Sequence, residues 1–330
     1  MATASAPRHE EQRARRAASG SRRATAAGTP LREVSDLSRC VRSGRAPAVS
    51  SAVVLTYDEI RVVASDLGLG VVVEGLIEAL VPAYRLEPSP DGSHRVGGEP
   101  DLVAGETWPR NERGTELTFI AQFDVDQIPA LPAGPPEVEA WRSTPSFVRL
   151  FADLYEHPFE ANAITALAAD PSATRTRAAA PGRGHPATDV EFTIAAFREA
   201  TVAAVPCWCL DVEHPAVREA DAIDDGDPIE NAPLLELSHR LHAGRSLSGG
   251  WHVLPRLLGL PEPVQDDPRY RAAAYHVDAS LRDHNAWTLL LQFDDTFASY
   301  GDGGGFFVVI PRADLAGGRY DRAVSESQSL

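Results

Sequence analysis

Two seven-residue stretches, TFIAQFD at Thr118–Asp124 and TLLLQFD at Thr288–Asp294, share Thr, Gln, Phe and Asp at the same four offsets. Both are mostly apolar, the first rich in β-branched and aromatic residues, and both are short enough to be strands. Period-2 alternation places Thr118, Ile120, Gln122 and Asp124 on one face, and Thr288, Leu290, Gln292 and Asp294 on one face of the second strand. Each stretch is followed by another aromatic-rich strand, FVRLF from Phe147 and FFVVI from Phe306. The pattern predicts a duplicated strand pair within one domain. With long crossovers between the strands, the expected class is α+β, with mostly antiparallel sheets built from an internal strand-pair repeat.

Helices are expected ahead of these strands. Thr56 followed by Glu59 is a capping-box signature, and Ile60, Val63 and Leu67 mark one helix face that Gly68 or Gly70 ends. A second helix is expected over Glu74–Leu80, stopped before Pro82. Residues 161–190 are small, polar and Pro/Gly-bearing, which predicts a flexible surface excursion. EFTIAAFREATVAAVPCWCLDV, from Glu191, reads as either helix or strand.

Charge is distributed unevenly along the 330 residues. Residues 1–50 carry ten arginines against four acidic residues, whereas residues 51–330 carry 21 basic against 43 acidic residues. The Arg/Ala/Ser-rich tail lacks hydrophobic periodicity and is expected to be disordered, leaving residues 51–330 as the folded domain. An acidic body repels phosphate, so nucleic acid is not the expected partner. The longest apolar run, Leu67–Val81, is shorter than a membrane span and holds two glutamates. Three cysteines give no disulfide framework, and a cytoplasmic location is expected.

GGEPDLVAGETWPR at Gly97–Arg110, running into LTFIAQFDVDQIPALP, resembles the signature of the YwqG-like family of bacterial proteins. RLLGLPEPVQDDPR at Arg256–Arg269 and the segment from Trp287 to Gln328 resemble two later blocks of the same family, in the same order. Pro255 stands where the family often has His, and Gly304 where it has Ala or a similar residue. The resemblance implies one α+β domain with repeated antiparallel strands. No function comes with it, although the settings of some members suggest toxin neutralisation.

Chemistry-bearing motifs are sparse. Cys207 and Cys209 with His214, and Glu236, His239 and His242 at steps of three, have the right atoms for zinc but the wrong cysteine spacing. On a strand the two cysteines share a face and read as small buried hydrophobes, so no metal site is expected. YGDGGGFFVVIPR at Tyr300–Arg312 lacks the third glycine and the following helix of a dinucleotide loop, and the chain has no lysine for a Walker loop. Its glycines read as a strand-feeding turn, with Asp302 as a turn acceptor. Gln122 and Gln292 read as a buried pair joining the two halves or, with Asp124, Asp294 and Asp302, as the lining of a cleft between them. Trp108 reads as a core anchor closing a loop, or as a ligand rim. Gly97 and Gly98 supply positive φ or close approach. No nucleophilic constellation stands out.

The sequence therefore predicts a non-catalytic binding module without a cofactor, its acidic surface suited to a basic protein partner. The alternative is a small-ligand binder or enzyme using the inter-repeat cleft. Nothing in the sequence sets the oligomeric state.

Overall fold

The computed structural model describes residues 54–131, 134–144, 146–154, 162–179, 197–223, 232–242, 255–293 and 304–328. The residue 1–50 tail, Cys40, residues 180–190 of the expected excursion, Asp294 and Asp302 all lie outside the described residues.

The chain enters through the expected helix α1 (Tyr57–Asp66). The Thr56 hydroxyl accepts from the Glu59 amide at 3.3 Å while the Glu59 carboxylate accepts from the Thr56 amide at 2.7 Å. Helix α2 (Val73–Glu78) follows, ending two residues before the expected point because β1 (Leu80–Pro88) begins there and runs through Pro82. Then come β2 (His94–Val96), β3 (Asp101–Val103), β4 (Thr118–Asp124), α3 (Pro136–Arg142), β5 (Phe147–Ala152), β6 (Asn162–Ala169) and β7 (Arg175–Arg177). The second half of the chain supplies β8 (Ala200–Leu210), α4 (Pro215–Ile223), α5 (Ala232–Leu241), β9 (Arg256–Leu257), α6 (Pro268–Tyr275), β10 (Trp287–Phe293), β11 (Gly305–Pro311), α7 (Arg312–Ala316) and β12 (Val324–Gln328).

Ten of these strands close into one antiparallel barrel in the order β1-β8-β2-β4-β5-β6-β12-β11-β10-β9, and β9 pairs back to β1. The class is α+β, but separate sheets give way to a single closed one. Closure follows from β1 and β8, whose nine-residue register joins the two halves and leaves β2 and β9 to pair on either side. The barrel interior is solid. Phe123, Phe293, Phe306, Leu150 and Leu291 point inward, and Phe197 inserts with its ring 5.7 Å from Phe293 and 5.1 Å from Phe306.

A bulge overrides the simple alternation in the repeated strands. The register slips between Phe119 and Ala121 in β4, and between Leu289 and Leu291 in β10. Ile120 and Leu290 therefore join the interior together with the residues after them, while Gln122 and Gln292 remain outside. The expectation that Ile120 and Gln122 share a face is corrected by this extra residue.

The expected excursion at 161–190 is also corrected in part. β6 is a barrel strand between β5 and β12, and β7 forms a two-stranded sheet with β3 outside the barrel. The stretch NAITALAA looks unlike a strand because its residues are small, but the neighbouring Leu150 and Phe151 supply the bulk. A second core lies outside β8, where α1, α2, α4 and α5 bury Ile60, Leu76, Val217 and Leu237 against Trp208. No helix among the described residues is long and apolar enough to cross a membrane.

Candidate functional site

Gln122 and Gln292 do not pair with each other. Each binds the acid of its own half. Gln122 accepts from the Asp101 backbone amide at 2.8 Å and donates to the Asp101 carboxylate at 2.6 Å. Gln292 accepts from the Glu262 backbone amide at 3.0 Å and donates to the Glu262 carboxylate at 3.3 Å. Across the ladder from these glutamines stand Arg95 and Arg256. Arg95 donates to the Glu99 carbonyl at 2.7 Å and to Asp101 at 3.1 Å, while Arg256 donates to the Leu260 carbonyl at 2.9 Å and to Glu262.

The segments RVGGEPD (Arg95–Asp101) and RLLGLPE (Arg256–Glu262) thus do the same work with Arg, Gly, Pro and an acid at matching offsets. Both turn through two successive left-handed residues, Gly97 and Gly98 in one, Leu258 and Gly259 in the other. The expected positive φ at Gly97 and Gly98 is therefore present, at +60° and +69°. The repeat covers more than a strand pair: it includes this hairpin, the acid it presents and the glutamine that binds the acid.

The two copies differ in what surrounds them. In the second, Gln292 is fully buried, and His242 at the end of α5 packs on Arg256, accepting from its guanidinium at Nε2 at 2.8 Å. In the first, Gln122 and Asp101 open onto a cavity of about 420 Å³ that His94, Arg95, Asp124, Phe147, Arg175 and Thr201 also line. The position matching His94 in the second copy is Pro255.

Asp124, at the end of β4, sits opposite Phe147 of β5 in register. Its Oδ1 is buried and has no hydrogen-bond partner among the described residues. Its Oδ2 faces Arg175 of β7 at 3.7 Å, too long for a hydrogen bond. The Arg175 guanidinium lies over the Phe147 ring, 4.2 Å from its centroid. On the same ring, at 5.1 Å, is Arg149, itself locked by a bidentate pair with Glu106 at 2.6 and 2.9 Å.

His94 is buried, and burial pushes its pKa down to about 4, so the ring is neutral at pH 7. Its Nδ1 accepts from the Asp124 backbone amide at 3.3 Å, which leaves the proton on Nε2, 3.4 Å from the Ser93 hydroxyl. Serine, histidine and aspartate are all present at this cavity, but the wiring is that of a donor facing the hydroxyl. A general base needs the reverse tautomer, oriented by the carboxylate.

Of the sequence-predicted residues, the structure brings Gln122 and Asp124 together at this cavity. Gln292 lies in the second copy, with β2, β8, β1 and β9 between its strand and β4. Gln292 is therefore not among the residues lining the first-half cavity, and Asp294 and Asp302 lie outside the described residues. Trp108 is half-buried elsewhere: its indole donates to the Leu117 carbonyl at 2.8 Å and its ring meets Phe151 edge-on at 5.7 Å, the anchor reading. Cys207 and Cys209 are buried on β8 beside Ala83 and Leu260, and burial pushes the Cys207 thiol up to about 12. His214 is not with them, and Glu236 pairs with Arg240. Among the described residues no three His, Cys, Asp or Glu side chains gather to hold a metal ion.

A family model for a domain of unknown function (DUF1963) matches residues 94–139 and 168–328. The chain belongs to this family. Every cavity residue named above except Ser93 and Phe147 falls inside the matched segments of this DUF1963 protein. A comparison with curated proteins returned no match to the chain.

His94, Arg95, Phe147 and Arg175 were not singled out from sequence. The echo of RVGGEPD in RLLGLPE carried a signal for Arg95, weakened because Leu258 stands where Gly97 does. Arg175 carried none, since the small sheet that holds it forms between segments about seventy residues apart.

Proposed function

We propose that this protein is a non-catalytic binding module whose site is the cavity on the first half, at the outer face of β4 and β5. The supporting observation is the buried Asp124 Oδ1, an acceptor without a donor among the described residues in a cavity whose other acid, Asp101, is fully engaged. A buried carboxylate oxygen gains about 1–3 kcal/mol from a donor compared with being left without one, so a ligand that donates there is selected. The neutral, wrongly oriented His94 supports binding over acid–base chemistry.

The acidic balance of residues 51–330 favours a basic protein as the source of that donor, consistent with the neutralising role that the YwqG-like resemblance suggests. The proposal places no requirement on a membrane or nucleic acid. Its test is equilibrium binding of a small neutral amide, acetamide, to the wild-type chain and to Asp124→Ala. Saturable binding that Asp124→Ala weakens at least about tenfold is expected. Equal binding by both chains would exclude the cavity.

A further inference from the structure

Given that this cavity is a binding site, a reading on which the assignment rests, the geometry points to a cationic ligand group, a guanidinium or primary ammonium. Its place is held in the free protein by Arg175. The receptor half of the site belongs to the barrel. Asp124 and Phe147 are cross-strand partners on β4 and β5, and Phe147 is 1% exposed, so carboxylate and aromatic face are held rigidly. A carboxylate beside an aromatic face is the combination that takes an alkylguanidinium or ammonium.

The occupant half belongs to the periphery. Arg175 sits on a three-residue strand bonded only to β3, and its side chain remains 29% exposed. Its contact with Asp124 is 3.7 Å, and no hydrogen bond ties its guanidinium to the described residues. Arg149 shows the contrast on the same ring: fully buried and held by two hydrogen bonds to Glu106, it is structural. Arg95 is likewise committed, to Asp101 and the Glu99 carbonyl. Arg175 alone among the three guanidiniums occupies its position without being fastened there.

Charge supports the same assignment. With His94 neutral and Arg95 balanced by Asp101, release of Arg175 leaves the cavity with the uncompensated charge of Asp124. That charge lies in a body carrying 43 acidic against 21 basic residues, which attracts cations and repels anions. A bound cation then makes the hydrogen bond to Asp124 Oδ1 that Arg175 does not make, and this difference drives the exchange.

The test measures binding of methylguanidinium, acetate and acetamide to the full-length wild-type chain, Arg175→Ala and Arg175→Ala/Asp124→Asn. Methylguanidinium is expected to bind Arg175→Ala about tenfold tighter than wild type, and the gain is expected to vanish in the double variant. Because any excised arginine leaves a guanidinium-shaped hole, the wild-type Arg175 Nε–H resonance, assigned by its loss in Arg175→Gln, supplies a second readout. It is expected to shift toward the position of a solvated arginine as methylguanidinium saturates. An unmoved resonance, or no gain in Arg175→Ala, overturns the inference. Acetate binding that depends on Arg175 overturns the cationic class and leaves the cavity reading standing. If none of the three probes binds, the cavity reading falls as well. A Gly-Arg-Gly peptide that binds tighter than methylguanidinium identifies a protein side chain as the source of the cation, and the reverse order a small amine.

Discussion

Gly97 (φ +60°) and Gly114 (φ +81°) both occupy the left-handed region, yet their surroundings differ. A Cβ at Gly97 would lie 2.3 Å from the Phe197 carbonyl oxygen, whereas nothing lies within 4 Å of one at Gly114. The conformational cost alone is about 1 kcal/mol. Gly114→Ala should therefore lose about 1 kcal/mol in urea denaturation, and Gly97→Ala more than about 2 kcal/mol, because backbone cannot move aside as a side chain can. Similar losses would mean that the Gly97 turn is not packed as described. Leu258 shows the other solution at the matching position: it accepts φ +62° and is buried completely in the core.

At the scale of elements, the acid-presenting hairpin and the glutamine strand form one unit, made twice. Removing Gln292 leaves the Glu262 amide without its acceptor in a part-buried setting, so Gln292→Ala should cost about 1–3 kcal/mol in chemical denaturation. A loss below a few tenths of a kcal/mol would contradict the unit. The β3–β7 sheet depends on a different pair. Glu106 holds the buried Arg149 and also accepts from the Val103 amide at 2.7 Å. Glu106→Ala leaves a buried guanidinium uncompensated and should cost about 3 kcal/mol. An unaltered unfolding midpoint would show that Arg149 finds another partner.

How much of this was legible varied with the kind of interaction. The strands β4 and β10 announced themselves because Thr, Gln, Phe and Asp recur at the same four offsets in both copies. The capping box of α1 was legible because its two hydrogen bonds are local. The bulges at Ile120 and Leu290 were not, since a bulge is set by the partner strand and leaves no residue signature when no glycine occupies it. β6 was missed because its alanines borrow bulk from β5. The cavity was half legible: Gln122 and Asp124 share a strand, but Phe147 and Arg175 reach them only through long-range pairing.

For the whole molecule, the two histidines buried among the described residues bear on the acid limit. Burial pushes both His94 and His242 down to about 4, and at His242 the Arg256 guanidinium adds to the effect, against Glu262. A histidine whose folded pKa lies below its ordinary value of about 6.5 leaves the folded state with fewer bound protons than the unfolded state in between. Stability should thus be full above pH 6.5, decline as pH falls toward 4, and lose up to about 1.4 kcal/mol per pH unit for each histidine. The carboxylate of Asp314, held below its ordinary value of 3.8 by Arg322 and Arg319 against the effect of burial, loses its contribution only below that window. Denaturation midpoints measured from pH 7 to 4 should show this slope, and His242→Gln, which keeps an acceptor for Arg256, should roughly halve it. A flat profile would contradict the burial of both rings.

Of the two matched Arg–acid–Gln units, the first lines the cavity proposed above as the binding site. The direct measurement is amide chemical-shift mapping of the labelled full-length chain during titration with methylguanidinium. The predicted result is saturable perturbation centred on Ser93, Arg95, Asp101, Gln122 and Thr201, with Arg256, Glu262 and Gln292 unmoved. Perturbation of both units alike, or of neither, would contradict it.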